Sequence, residues 1–274
     1  MLAVLFDIGG TNTRLAVTRD GRRFGQPVIY PTVNHFARGI RAFEEHVRVL
    51  SHGQRVTAAA GGIAGLLARD RRTMLRSPHV GGWARKPIVA KLEQAFHAPV
   101  MLENDADVVG LGEAHYGAGR GYDIVAYLTV STGVGGTRIV HGRFDAQALG
   151  LEPGHHYLEG DSDLEDLIGG KALQRRYGKL PKEITSPAVW RSAAKMLGKA
   201  LANVTVFWSP DVIVLGGSLF KPGAISIPLT REYLKRYRPH VPKVVRGTLG
   251  DIGGLYGALA MLRFPSRRKG GGHG

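Results

Sequence analysis

Apolar and polar positions along the chain set out its elements one after another. Leu2-Ala3-Val4-Leu5-Phe6 and Leu15-Ala16-Val17 are short apolar runs, rich in strand formers, and the stretch joining them carries two glycines and several small polar residues. That pattern predicts a hairpin with a tight turn. Residues 22–30 read as a third strand. Phe36, Ile40, Phe43, Val47 and Leu50 then recur at four-three-four-three spacing, one face of an amphipathic helix. A strand over 56–60 runs into a Gly-rich turn over 61–65, followed by a loop through 74–79 and 81–83. A helix is expected from about Pro87, a residue suited to a first helical turn, to Phe96.

The second half repeats the design. After a strand at 100–103 comes Asn104-Asp105-Ala106-Asp107 and a helix carrying Val108, Val109, Leu111 and Ala114. Residues 125–130 and 137–140 are strands joined by the turn Ser131-Thr132-Gly133-Val134-Gly135-Gly136, a second hairpin like the first. A short helix starts near Leu164. Trp190, Ala194, Leu197, Leu201, Val204 and Trp208 form the buried stripe of a long helix, and residues 211–215 make an apolar strand entering Gly216-Gly217-Ser218. Gly253-Gly254 opens a last helix ending near Arg263.

Composition narrows the class. A chain of 274 residues with 43% hydrophobic content is long enough for two modest α/β lobes. No run of eighteen apolar residues and no basic-then-apolar leader is present, so a cytoplasmic enzyme without membrane spans is the expectation. Cysteine is absent, which excludes disulfides, a thiolate nucleophile and Cys-ligated zinc. The net charge of +15 raises the question of nucleic acid. Its cations are scattered in short groups such as Arg69-Asp70-Arg71-Arg72 and Lys235-Arg236-Tyr237-Arg238, the pattern of a solvated surface rather than a dedicated binding face. The tail 264–274 is basic and Gly-rich, and is expected to be disordered.

Several positions could carry chemistry. The turn Gly9-Gly10-Thr11-Asn12 is either an ordinary hairpin turn or a cradle whose N–H groups, hydroxyl and amide meet a phosphate. In the second case Asp7 stands beside the phosphate, where a carboxylate needs a hydrated Mg²⁺ between. The second hairpin offers the same cradle, so the two together suggest a duplicated fold holding a polyphosphate. Neither is a P-loop, and Gly169-Gly170-Lys171-Ala172 also departs from that pattern. Asn104 or Asp105 either caps the helix that follows or, at the carboxyl end of a strand, faces a ligand crevice. Glu152, His155, His156 and Glu165 suit a metal or sugar hydroxyls. Gly216-Gly217 is either a plain turn or a place where a flat ring or ribose approaches closely.

Taken in order, Asp7-Ile8-Gly9-Gly10-Thr11, Glu103-Asn104-Asp105-Ala106, Ser131-Thr132-Gly133-Val134-Gly135-Gly136, Glu152-Pro153-Gly154-His155 and Val214-Leu215-Gly216-Gly217-Ser218 resemble the ROK family of sugar kinases and repressors. The resemblance implies an α/β, actin-like ATPase (ribonuclease H-like) fold of two lobes around a central cleft. The smaller lobe would be 1–104, with the helix at about 253–263 packing back on it, and the larger 105–252. It implies an ATP-dependent kinase, glucokinase-like, acting on a hexose 6-hydroxyl, with ATP and Mg²⁺ and as a homodimer. Asp105 would be the general base. Asn104, Asp105, Glu152, His155, Glu165, Gly65 and His79 would bind sugar. Asp7 (through water and Mg²⁺), Gly9, Gly10, Thr11, Asn12, Thr132, Gly133, Gly216 and Gly217 would bind ATP. A helix N-terminus favours ionised Asp105 and makes it a feeble base.

The departures matter too. Similar family members carry a cysteine segment that binds zinc with the Gly-His histidine. Here only residues 157–163 lie between the histidines and the later helix, so no structural zinc is expected and His155 needs another partner to orient it, a carbonyl or an acidic neighbour. His79 stands where the family tends to have Asn. Repressors of the family carry a DNA-binding module ahead of the hairpin, and only six residues precede Asp7. A sugar-responsive regulator, or a kinase for mannose, fructose or an N-acetylated hexosamine, is the alternative.

Overall fold

The computed structural model describes residues 1–77, 80–145 and 149–265. The chain divides into two compact units, one made of 1–112 with the segment from Gly254 onward, the other of 113–253.

Unit 1 is built on β1 (Ala3–Ile8), β2 (Asn12–Thr18), β3 (Val28–Pro31), α1 (Phe36–Ser51), β4 (Ala58–Ile63), β5 (Leu66–Leu67), β6 (Met74–Arg76), α2 (Ile88–Phe96), β7 (Val100–Asn104) and the start of α3 (Asp105–Tyr116). Its main sheet runs β3-β2-β1-β4-β7, with β1 antiparallel to β2 and parallel to β4. Every residue of β1 is buried, which is why Ala3 to Phe6 read as a continuous apolar run rather than an alternating one, with Asp7 the one charged residue in the strand. The predicted face of α1 packs against Val4, Phe6, Ile8, Leu15, Val89 and Leu92. Trp83, 1% exposed, closes that core with its indole N–H donating to Val33 C=O (2.9 Å).

Unit 2 contains the end of α3, β8 (Ile124–Val130), β9 (Val134–Val140), β10 (Arg143–Phe144), β11 (Tyr157–Glu159), β12 (Ser162–Asp163), α4 (Leu164–Ile168), α5 (Gly170–Tyr177), α6 (Pro187–Trp208), β13 (Val212–Gly216), α7 (Ile227–Tyr237) and β14 (Lys243–Arg246). Its sheet runs β10-β9-β8-β13-β14, antiparallel on the β9 side and parallel on the β13 side. This is the topology of unit 1 repeated. The stripe on α6 packs with Leu128, Val130, Ile213 and Leu215. The last helix, α8 (Gly253–Arg263), belongs to unit 1 apart from its first residue. No helix among the described residues is long and apolar enough to cross a membrane.

Four sequence expectations need correction. The third strand is Val28–Pro31, not 22–30, because Asp20 takes the N–H groups of Arg22 and Arg23 on its carboxylate and turns the chain there. Gly61 and Gly62 are not a turn but the inside of β4. A Cβ at Gly61 would overlap the Phe6 carbonyl, and one at Gly62 would lie 3.0 Å from Asp105 Cα, so these glycines permit close approach of backbones. Likewise β9 begins at Val134, with Gly135 and Gly136 already paired to Thr129 and Leu128. Met74–Arg76 is a strand pairing with β5, where a loop was expected.

Glu113 is 2% exposed, and its two oxygens accept from Ala118 N–H (2.8 Å) and Leu249 N–H (2.9 Å). Glu113→Ala strands both donors and should cost about 3 kcal/mol or more in a denaturant titration. Glu113→Gln, with one acceptor oxygen left, should fall between.

Candidate functional site

In unit 1 the β1–β2 turn is held from below. Gly9 N–H donates to Asn12 C=O (3.0 Å), and the Thr32 hydroxyl donates to Gly9 C=O (2.7 Å) while Thr32 N–H reaches Thr11 C=O (2.9 Å). Gly9 is thereby internally bonded, whereas Gly10 and Thr11 are exposed and Asn12 half-buried. Asp7 is 7% exposed and pairs with Arg14 (3.3 Å), its cross-strand partner. Burial pushes the Asp7 carboxyl up to about 6, with the Arg14 charge pulling the other way. A Cβ on Gly254, at the start of α8, would come within 2.7 Å of Asp7 Cγ, so only glycine lets that helix approach.

The β7–α3 junction holds the expected base. Asn104 Oδ1 accepts from Ala106 N–H (2.8 Å) and Asp107 N–H (3.3 Å), so Asn104 is the cap, and its Nδ2 donates to Gly65 C=O (3.0 Å). Gly65, at φ +153°, is enclosed so tightly that a Cβ would overlap Met74 Sδ. With capping assigned to Asn104, Asp105 Oδ1 accepts from Ala106 N–H (2.9 Å). Burial, then the negative charge of Asp7, lifts its carboxyl to about 7. That overturns the expectation from the helix terminus alone: desolvation and a like charge outweigh the N-terminal dipole. Asn104→Ala should cost about 1–2 kcal/mol through the lost cap, and Asn104→Ser should recover most of it, both read by thermal unfolding.

Unit 2 assembles the remaining residues. In the β8–β9 turn Ser131 N–H donates to Gly133 C=O (2.9 Å), and Ser131 and Thr132 carbonyls accept from Gly170 and Lys171 N–H (2.8 and 2.9 Å), fastening the turn to the start of α5. Thr132 is exposed and Gly133 half-buried. Glu165 of α4 accepts from Val134 N–H (2.7 Å), and a Cβ on Gly133 would overlap that carboxylate. The end of β13 lies alongside, since Ser131 and Ser218 share a hydroxyl hydrogen bond (3.0 Å) and Gly217, at φ +101°, is packed against the Val130 carbonyl. Gly216 sits where a Cβ would overlap the Tyr127 hydroxyl.

His155 Nδ1 is 2.8 Å from Asp163 Oδ2, and Glu165 and Glu152 act on the same imidazole. The Asp163 hydrogen bond above all raises the His155 pKa from its ordinary value, against the effect of burial. The structure therefore brings Asp7, Gly9 and Asp105 with Asn104 and Gly65 together in unit 1, and Thr132, Gly133, Glu152, His155, Glu165, Gly216 and Gly217 together in unit 2. His79 lies outside the described residues.

Three contributors escaped the sequence reading. Arg14 was findable, because a hairpin turning at 9–12 places residue 14 opposite residue 7. Thr32 and Asp163 carried only the generic signals of a loop hydroxyl and a helix cap.

One sheet topology built twice, with a Gly-rich hairpin at the head of each copy, is the actin-like ATPase fold. Within that class the ROK family profile matches residues 3–264, and the chain belongs to the ROK family. A glucokinase of Streptomyces coelicolor is 26% identical, over 96% of this chain and 98% of that protein. Among solved structures, the ROK hexokinase of Thermus thermophilus is 31% identical with a TM-score of 0.82, covering 95% of this chain and 97% of that one. A ROK family glucokinase from Streptomyces griseus, solved in complex with glucose and AMPPNP, is 26% identical with a TM-score of 0.79, covering 95% and 99%.

Proposed function

We propose that this chain is an ATP-dependent hexose kinase that transfers the γ-phosphate to the 6-hydroxyl of glucose or a closely related hexose. The observation that carries this reading is Asp105, a carboxyl at the head of α3 whose surroundings place its pKa at about 7. A base so tuned takes a proton at neutral pH, which the helix terminus alone would have made unfavourable. The likeness to glucokinases supports glucose as the first sugar to try.

In this reading Asp105 receives the hydroxyl proton as the oxygen bonds to phosphorus. Asn104, whose Oδ1 is spent on the cap, offers the sugar its remaining amide hydrogen. Glu152 and Glu165 accept from sugar hydroxyls, and His155 meets a further one. Gly10, Thr11 and Asn12, with Thr132 and Gly133, supply N–H, hydroxyl and amide donors to the nucleotide's phosphates. Gly216 and Gly217 leave room for the adenosine. Asp7, a buried hard oxygen donor, would hold a Mg²⁺ ion through water, and the ion would supply positive charge against the phosphate oxygens. The same proposal includes a homodimer, to be read by light scattering.

Release of ADP, coupled to an optical readout, tests the proposal with glucose, mannose, fructose and N-acetylated hexosamines as acceptors. Glucose or a near relative should stimulate ADP release strongly. If no sugar raises it above the level of the Asp105→Asn variant, the kinase reading is wrong.

A further inference from the structure

His155 is joined to its surroundings through one ring nitrogen only among the described contacts, and the group that joins it is Asp163. Asp163 does two jobs at once. Its Oδ1 accepts from Asp166 N–H (2.7 Å) and caps α4, while its Oδ2 meets His155 Nδ1 at 2.8 Å. The backbone fixes the distance between the two residues. Asp163 pairs with Tyr157 across the β11–β12 hairpin, Leu164 N–H donates to His156 C=O (3.1 Å), and His155 N–H donates to Glu152 C=O (3.0 Å). The Asp163 side chain is 17% exposed and that of His155 46%, so the carboxylate is held within the fold while the imidazole is open to water on its other side.

We propose that Asp163 is a positioning residue that sets which ring nitrogen of His155 recognises the sugar, holding Nδ1 as a donor to itself and leaving Nε2 as the recognition atom. The inference rests on the kinase reading above for the identity of the ligand, a hexose hydroxyl. An ionised carboxylate only accepts, so Nδ1 must carry the hydrogen in both charge states of the ring. Nε2 is then an acceptor on neutral His155 and a donor on the protonated ring. The charges bearing on that change are the carboxylates of Asp163, Glu165 and Glu152. On β9, packed beneath, Arg138 is paired with Asp145 (2.7 Å), and on α4 Asp166 is paired with Arg175 (3.2 Å). All three carboxylates favour the proton on His155, so its Nε2 stays a donor to higher pH than that of an ordinary histidine. Because α4 also carries Glu165, one short helix and its cap place both an acidic and an imidazole contact for the sugar.

Asp163→Asn separates the two jobs. Asn caps a helix as well as Asp does, so its oxygen stays on Asp166 N–H and its amide turns toward His155, where Nδ1 must now accept. At a pH high enough to leave the ring neutral in both proteins, long-range ¹H–¹⁵N NMR should show the hydrogen moving from Nδ1 to Nε2, which turns Nε2 from acceptor to donor, and the His155 pKa should fall. At that pH glucose should bind about tenfold more weakly by calorimetry, with a matching rise in KM, the bond lost being of ordinary strength. The kcat and the KM for ATP should stay within about twofold of the wild type. Asp163→Ser, which also caps, should weaken glucose by a similar factor. An unchanged tautomer, or unchanged glucose affinity in both variants, overturns the proposal and leaves Asp163 as a cap alone. A wild type that binds glucose but never turns it over refutes the kinase reading instead, because the NMR and calorimetric results need no phosphoryl transfer. A wild type that binds no hexose overturns both.

Discussion

Asp105→Asn lowers kcat with the preferred hexose by about 10³-fold, within the usual range for loss of a general base, while the KM values for sugar and ATP change little. The amide keeps the Ala106 N–H contact of the native carboxyl and its size, so what disappears is the capacity to take a proton. The wild-type pH profile carries the same signature. Protonated Asp105 is no base, so kcat/KM rises with pH up to about 7, tenfold per unit well below that value, and then levels. The variant's residual rate shows no such limb. Stability moves in the opposite sense. A carboxyl whose folded pKa lies above its unfolded value stabilises the folded state most when pH is below the unfolded value. That contribution is lost as pH climbs through the folded one. Above about pH 7 the wild type therefore carries a buried negative charge beside Asp7 that the variant lacks. Thermal unfolding at pH 8 should find Asp105→Asn more stable by on the order of 1–2 kcal/mol, and the gap should close near pH 4. A variant no more stable at pH 8 than at pH 4, relative to wild type, would show that Asp105 ionises without cost.

Gly257→Ala should be the most damaging single methyl in unit 1. A Cβ there would overlap the Val108 carbonyl of α3 and lie 2.7 Å from Val108 Cγ1. Alanine favours a helix over glycine by about 1 kcal/mol, which argues for stabilisation. The clash is with backbone, however, and overpacking of that kind costs about 3 kcal/mol or more, so the net sign is destabilising. Leu255, Ala258, Leu259 and Ala260 on α8 are fully buried, so α8 cannot shift without losing its core contacts. Gly254 would move with it, away from Asp7, and kcat should fall alongside the melting temperature. Gly25→Ala, at a site where a Cβ meets nothing within 4 Å, is the control and should be near neutral.

The elements that the sequence made readable were those with local periodicity. The α1 and α6 faces and the runs of β1, β8 and β13 announce themselves because burial leaves a pattern in neighbouring residues. The glycines did not. Gly61-Gly62 and Gly135-Gly136 look like turns in one dimension, since glycine tolerates sharp bends and close packing alike, and the atoms that crowd Gly61, Gly62 and Gly136 come from residues such as Phe6, Asp105, Tyr127 and Pro153. For the site, Asp105 and Asn104 were visible as a pair with either role open to each, and the hydrogen bonds divide the roles: Asn104 caps. The raised pKa of Asp105 was not readable, because it depends on burial and on Asp7, nearly a hundred residues earlier in the chain. Asp163 was hidden for a similar reason. A cap is a common thing for an aspartate to be, and nothing in its neighbours tells that its second oxygen is occupied.

Unit 1 is a discontinuous body: its sheet is complete by Asn104, yet α8, which packs on Val108 and abuts Asp7, is among the last described segments of the chain. During synthesis on the ribosome, unit 2 therefore has all its residues available before unit 1 does, although unit 1 comes first in the message. The nascent amino-terminal sheet must wait, with the seat of α8 uncovered, while some 140 residues are added, an interval of roughly ten seconds or more at ordinary elongation rates.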